Sequence, residues 1–253
     1  MLFAFLVYLV ALAALRPSAL RIDRRDLPLI ATFGVFGLGA IQWSYYEAIS
    51  RLPIGIALVI QYTGPLLMLV WARLRGRRVG GRLWLAALLA LVGSFFVVGA
   101  YDQSLFALNA VGAAFAALSA LIYALYFLLA ERILARYTHW TLLVYGFGFA
   151  LVGWATFHPL WTLPWALALS VFPLVLGVVF VASVFPFALT FAALRLLPAA
   201  RVGLTSTFEP VVAAAAAWLL LSEALGPVQL AGGAVVMVAI VMAQTLRRTA
   251  GSV

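Results

Sequence analysis

A carboxyl group, three hydroxyls and a proline stand together at Thr205-Ser206-Thr207-Phe208-Glu209-Pro210, inside a stretch that is otherwise apolar from about Ala199 to Leu221. Thr205 and Glu209 are four residues apart and Ser206 and Glu209 three apart, so on a helix their side chains share one face. Such a trio can take up and release a proton, with the two hydroxyls donating to the carboxylate. Glu209 lies ten residues into the stretch, about 15 Å along a helix, which is halfway through a hydrocarbon core of about 30 Å. A carboxyl at that depth costs a few kcal/mol unless it faces a cavity or a partner, and this marks it as a functional candidate. The competing reading is a structural glutamic acid, kept neutral by the neighbouring hydroxyls.

A second break of the same kind, Gln61-Tyr62-Thr63-Gly64-Pro65, lies 145 residues earlier, and the same shift makes Gln61 the mate of Ser206. Proline has no N–H, so Pro65 and Pro210 are the expected helix breaks, freeing the carbonyls of Gln61 and Ser206 one turn before them. Further polar positions interrupt other apolar stretches: Gln42 to Tyr46, Tyr123, Tyr126, Ser183 and Thr190. The candidate substrate-binding residues are Gln42, Trp43, Tyr46, Gln61, Thr63, Tyr123, Tyr126, Ser183, Thr205, Ser206 and Glu209. Gln61 is expected to hold substrate without titrating, and Glu209 to couple transport to protons. Against this stands the bland alternative that the hydroxyls bond their own backbone and that Trp43 belongs to an interfacial belt. Glu47 precedes Arg51 by four residues and reads as an i,i+4 ion pair.

The elements that must position these side chains are membrane helices. Two thirds of the 253 residues are hydrophobic (67%), only 9% are charged and the mean hydropathy is +1.17. No soluble domain of this size has interior enough for that apolar surface. The expected fold is all-α and polytopic, with nine segments: Met1–Leu15, Pro28–Ser50, Ile54–Leu74, Leu83–Ala100, Leu108–Leu129, Trp140–Phe157, Ser170–Leu194, Ala199–Leu221 and Val228–Leu246. All 16 basic residues are arginines. All but Arg51 fall on one side of the alternating segments, so that side is expected to be cytoplasmic, together with the C-terminus. Trp71, Trp84 and Trp140 at one face and Trp154, Trp161, Trp165 and Trp218 at the other form two aromatic belts.

The 145-residue shift superposes Pro28 on Pro173, Pro53 on Pro198, Pro65 on Pro210 and Gly81 on Gly226 without a gap. Matching segments run in opposite directions, which makes an inverted-topology repeat. The expected organisation is a first repeat over 1–101 and a second over 102–253, joined in one transmembrane domain. Applied in reverse, the shift pairs Met1–Leu15 with Trp140–Phe157 and leaves Leu108–Leu129 without a counterpart, so the first repeat reads as truncated at its N-terminus. A signal peptide competes for Met1–Leu15 but lacks a positive n-region. Ala213–Ala217 and Gly232-Gly233 read as surfaces for close helix packing.

Several chemistries are excluded. Without lysine there is no P-loop, without cysteine no thiolate nucleophile or metal site, and His139 and His158 fall at opposite membrane faces. No nucleophile–base pair can be assembled, so the chain is not read as an enzyme. It needs no cofactor and no nucleic acid. Its expected partners are a small-molecule substrate, the lipid bilayer and, as the candidate coupling ion, the proton. Self-association into a homo-oligomer is left open.

The phrases "TSTFEPVVAAAAAWLLLSEAL" and "RLPIGIALVIQYTGPLL" resemble the EamA-type transporters of the drug/metabolite transporter superfamily, ten-helix carriers built from two repeats. The second phrase is similar to the threonine/homoserine exporter branch, where a glutamate commonly stands at the position of Gln61. Three departures are the missing first helix, Gln61 in place of an acid, and Ser222 in place of the usual glycine before Glu223. The resemblance implies ATP-independent efflux or uptake of small metabolites such as amino acids, with export the expected direction, from a multi-pass position in the cell membrane. The alternative is a non-transporting truncated paralogue or a membrane partner subunit.

Overall fold

A computed structural model describes residues 1–102, 109–162, 164–222 and 224–245. Lipid offers the backbone no hydrogen-bond partners, so an apolar chain satisfies its amides within helices. Nine apolar helices run through the described residues: α1 (Leu2–Leu15), α2 (Leu27–Ile49), α3 (Ile54–Leu74), α4 (Gly81–Val97), α5 (Ala110–Leu134), α6 (His139–Phe157), α7 (Phe172–Leu194), α8 (Ala199–Leu220) and α9 (Pro227–Gln244). Seven are long and apolar enough to cross a membrane; α1 and α4 are shorter. The expected segments recur with shifted ends. The largest shift is in α5, which runs on through Glu131 and Arg132, where Ala130, Glu131, Arg132 and Leu134 are good helix formers. Glu223, Arg247 and Arg248 lie outside the described residues.

The helices fall into two compact units: residues 1–42 with 128–197, and residues 43–127 with 198–253. In the first unit α1, α2 and α7 pack on α6. Close approach of α2 to α6 depends on glycine, since a Cβ on Gly34 would stand 2.8 Å from the Gly146 carbonyl oxygen and 2.5 Å from Phe149 Cβ. Both α2 and α7 widen into a π-helical stretch, over Phe33–Gly39 and Phe180–Val184. The last residues of the two stretches, Gly39 and Val184, are separated by the same 145 positions as the sequence repeat. A π turn disturbs the i→i−4 ladder, and at both places an aromatic side chain supplies a donor. Trp154 Nε1 donates to the Gly39 carbonyl at 3.2 Å, and the buried Tyr8 hydroxyl donates to the Val184 carbonyl at 2.7 Å.

One end of this unit is stapled by polar contacts. Arg136 donates to Asp26 Oδ1 at 3.0 Å and the Tyr137 hydroxyl donates to Asp26 Oδ2 at 2.9 Å, while the same hydroxyl accepts from the Asp23 N–H at 3.0 Å. Tyr145 and Thr141 bond the carbonyls of Leu20 and Ala19. The α1–α2 linker is thereby tied to the start of α6.

In the second unit the largest seam joins α4 to α9. A Cβ on Gly93 would lie 2.8 Å from the Gly232 oxygen, and one on Gly232 would lie 2.8 Å from the Gly93 oxygen, so each glycine makes room for the other's backbone. Ala86, Ala87, Ala90, Ala239 and Ala243 continue the seam and pack with Leu69 and Leu204. Small side chains let the helices approach where no hydrophobic force drives them together. The outward faces are apolar and bare, as on α7, where Leu174, Val181 and Leu189 are about 70% exposed.

Candidate functional site

The candidate residues of the second unit cluster where α3 and α8 break. α3 is α-helical over Ile54–Gln61 and again over Gly64–Leu74, with a turn at Tyr62 and Thr63. α8 is α-helical over Ala199–Thr205, tightens to a 3-10 turn over Ser206–Phe208, and resumes at Glu209. Pro65 and Pro210 sit one position inside the resumed helices, where a missing N–H costs least. Threonine closes both breaks: Thr63 donates to the Ile60 carbonyl at 2.7 Å and Thr207 to the Leu204 carbonyl at 2.6 Å.

Hydrogen bonds connect the broken helices to each other and to α5. Gln61 Nε2 donates to Ser119 Oγ at 2.5 Å, joining α3 to α5. The Tyr123 hydroxyl donates to the Gly203 carbonyl at 3.1 Å, joining α5 to α8. The Tyr62 hydroxyl donates to Glu209 Oε2 at 3.1 Å, joining α3 to α8. Ser119, Tyr123 and Tyr126 follow one another at i, i+4 and i+7, so one face of α5 spans both breaks. Gly64 and Gly203 permit this: a Cβ on Gly64 would lie 2.5 Å from the Tyr123 ring, and one on Gly203 would lie 2.5 Å from Met68 Cε. Tyr126 is buried, with its ring 4.9 Å from Phe127.

Glu209 is exposed although it stands midway along α8. Tyr62 occupies one carboxylate oxygen, and Oε1 is left to accept a proton or a cationic donor. The expectation that Thr205 and Ser206 donate to this carboxylate is corrected. Thr205 Oγ1 donates to the Arg201 carbonyl at 2.9 Å and Ser206 Oγ to the Val202 carbonyl at 3.2 Å, since an acceptor one turn back on the same helix is nearer. The Ser206 carbonyl is not free either, because the 3-10 turn gives it the Glu209 N–H. Gln244 Nε2 donates to Thr205 Oγ1 at 2.7 Å.

The remaining candidates are placed as follows. Trp43 and Tyr46 are about half exposed, with Trp43 edge-on to Phe115 at 5.3 Å. Gln42 and Ser183 are half-buried and belong to the first unit. Glu47 and Arg51 form the expected ion pair. Among the described residues no group of three or more His, Cys, Asp or Glu side chains could hold a metal ion.

Three participants were outside the candidate set: Tyr62, Ser119 and Gln244. Tyr62 had a signal, since a tyrosine within an apolar span needs a partner for its hydroxyl. Ser119 had the i, i+4, i+7 spacing with the α5 tyrosines. Gln244 had none beyond its polarity near a helix end.

The profile of the EamA-like transporter family matches residues 1–99 and 110–245. The chain belongs to this family. It is therefore a membrane transporter of small molecules and not an enzyme. This EamA-like chain is 30% identical over 245 residues to the threonine/homoserine exporter RhtA of Escherichia coli (strain K12), covering 95% of this chain and 79% of that protein. RhtA of Salmonella typhimurium (strain LT2) is 29% identical over 226 residues, covering 88% and 72%. An uncharacterized transporter of Archaeoglobus fulgidus is 26% identical over 244 residues, covering 94% and 84%. A solved crystal structure, 21% identical, matches the fold with a TM-score of 0.74 over 97% of this chain and 84% of its own.

Proposed function

We propose that this chain exports small amino acids of the threonine or homoserine kind in exchange for protons, with Glu209 as the shared binding group. The observation that carries the reading is the open Glu209 carboxylate midway along α8, in a chain 30% identical to threonine/homoserine exporters. A carboxylate can hold a proton or a substrate ammonium, not both in one place, so replacing one by the other links the two fluxes without ATP. The Tyr62 hydroxyl orients the carboxylate, and Gln61 and Tyr123 hold the breaks around it.

In this reading residues 1–101 and 102–253 are inverted repeats that exchange access to Glu209 between the two sides. Support comes from the breaks at Tyr62–Thr63 and Ser206–Phe208 and from the π stretches, which recur near 145 residues apart. The arginine asymmetry supports a cytoplasmic C-terminus in the cell membrane.

The test is flux of labelled threonine and homoserine in reconstituted vesicles, with and without an imposed pH gradient. The parent chain is expected to move either substrate faster down an opposing proton gradient, and Glu209→Gln to fold normally but lose that dependence. No gradient-dependent flux of either amino acid sinks the substrate assignment. Unchanged flux in the variant makes Glu209 structural.

A further inference from the structure

Arg201 is 8% exposed, whereas every other described arginine is exposed. Its guanidinium has no partner among the described residues. Glu47 and Asp26 pair with Arg51 and Arg136, and Arg201 bonds through its backbone, to Pro198 and Thr205. Thr205, one turn on, offers little, because it donates its proton to the Arg201 carbonyl and accepts from Gln244. A buried charge without a counter-ion is costly and calls for a partner.

Packing does not demand a cation here. The residue 145 positions earlier is Ile56, also 8% exposed, set among Ala48, Leu52, Ala57, Ala100 and Ala116. The fold accepts an apolar side chain at this place in one copy and carries arginine in the other. The side chain is not wholly sealed off, since 8% of the residue's surface stays exposed.

We propose that Arg201 is an oxyanion-binding residue near the Ala199 end of α8, taking the carboxylate of an amino-acid substrate before its ammonium reaches Glu209. The planar guanidinium matches a carboxylate through two parallel N–H···O bonds. Glu209 lies eight residues further on, about 12 Å along the axis, so the two groups serve successive stops for a small amino acid. A lipid phosphate offers the same oxyanion chemistry. Only the carboxylate source rests on the proposed function.

The test uses the full chain in nanodiscs of zwitterionic lipid, with Arg201→Ile, the residue of the repeat mate, and Arg201→Lys. Binding of L-threonine and of threonine methyl ester, which lacks the carboxylate, is measured by titration. In parallel, phosphatidylglycerol is added and the thermal midpoint followed. Threonine is expected to bind Arg201→Ile about tenfold to a hundredfold more weakly than the parent, Arg201→Lys in between, and the ester equally to all three. If phosphatidylglycerol instead raises the midpoint of the parent and not of Arg201→Ile, the oxyanion site stands with a lipid source. If the parent and Arg201→Ile respond alike to threonine and to phosphatidylglycerol, the proposal is overturned. Flux of Glu209→Gln separates this failure from failure of the exporter reading, since that measurement does not involve Arg201.

Discussion

At the scale of single residues, the hydrogen bond from Tyr62 to Glu209 couples the two helix breaks through one proton donor. Tyr62→Phe removes that donor and leaves the ring packing in place. A hydrogen bond of this kind contributes about 1–1.5 kcal/mol net, so gradient-driven flux should fall about tenfold with expression unchanged. Flux equal to the parent's would show that Tyr62 does not orient the carboxylate. Outside the membrane-spanning helices, Asp26 gives a pH prediction. The Tyr137 hydroxyl is the largest influence holding its carboxyl below the ordinary 3.8; partial desolvation opposes it and Arg136 adds to it. A lowered carboxyl stabilises the folded state above its unfolded value, and the effect is lost as pH falls through the folded value. Hydrogen exchange in the Leu20–Asp26 linker should therefore be protected at neutral pH and lose that protection only below about pH 4, whereas Asp26→Asn should lose it at every pH. Glu209 and Gln61 were legible in the sequence because polar groups are rare in apolar spans. The partners of Thr205 and Ser206 were not, since helical periodicity gives the face of a side chain but not which of two acceptors is nearer.

At the scale of helices, the breaks in α3 and α8 could be read from Pro65 and Pro210, because a missing N–H has a fixed position in the chain. The π stretch of α2 could not, since no residue type within Phe33–Gly39 announces it, whereas that of α7 had a signal in Pro186, which has no N–H to offer the Ala182 carbonyl. The α4–α9 seam was half legible: Gly232 was expected at a close contact, but its partner Gly93 was not. Gly93→Ala would place a Cβ 2.7 Å from Val236 Cγ2, 2.8 Å from the Gly232 oxygen and 2.9 Å from the Val236 nitrogen. Two of these are backbone atoms that cannot step aside, so overpacking of about 1–3 kcal/mol is expected. Unfolding in mixed micelles measures it. Gly177→Ala, with no atom within 4 Å of its added Cβ, is the matched control and should lose less.

For the whole molecule, nine apolar helices and the position of the arginines were available from composition and pattern, because hydropathy decides what lipid can surround. The packing units were not. Each takes helices from both sequence halves, since contact joins helices that are far apart in the chain. The arginine asymmetry predicts a cytoplasmic reporter when fused after Arg248, and a tag between Trp161 and Trp165 that is reachable from outside intact cells. Finding both on one side of the membrane would overturn the helix count.

The paired π stretches also bear on where the chain can change its length. A π turn holds one residue more than the α-turn it replaces, so removing one residue from Phe33–Gly39 returns that segment to α geometry and keeps both flanks in phase. Removing one from the middle of α9 turns everything after it by about 100°, which swings Val236, Ala239 and Ala243 off the α4 seam. Single-residue deletion scanning should find tolerance at Phe33–Gly39 and Phe180–Val184 and collapse of expression in α9. Those two stretches would then be the places where insertions and deletions can accumulate without a compensating change elsewhere.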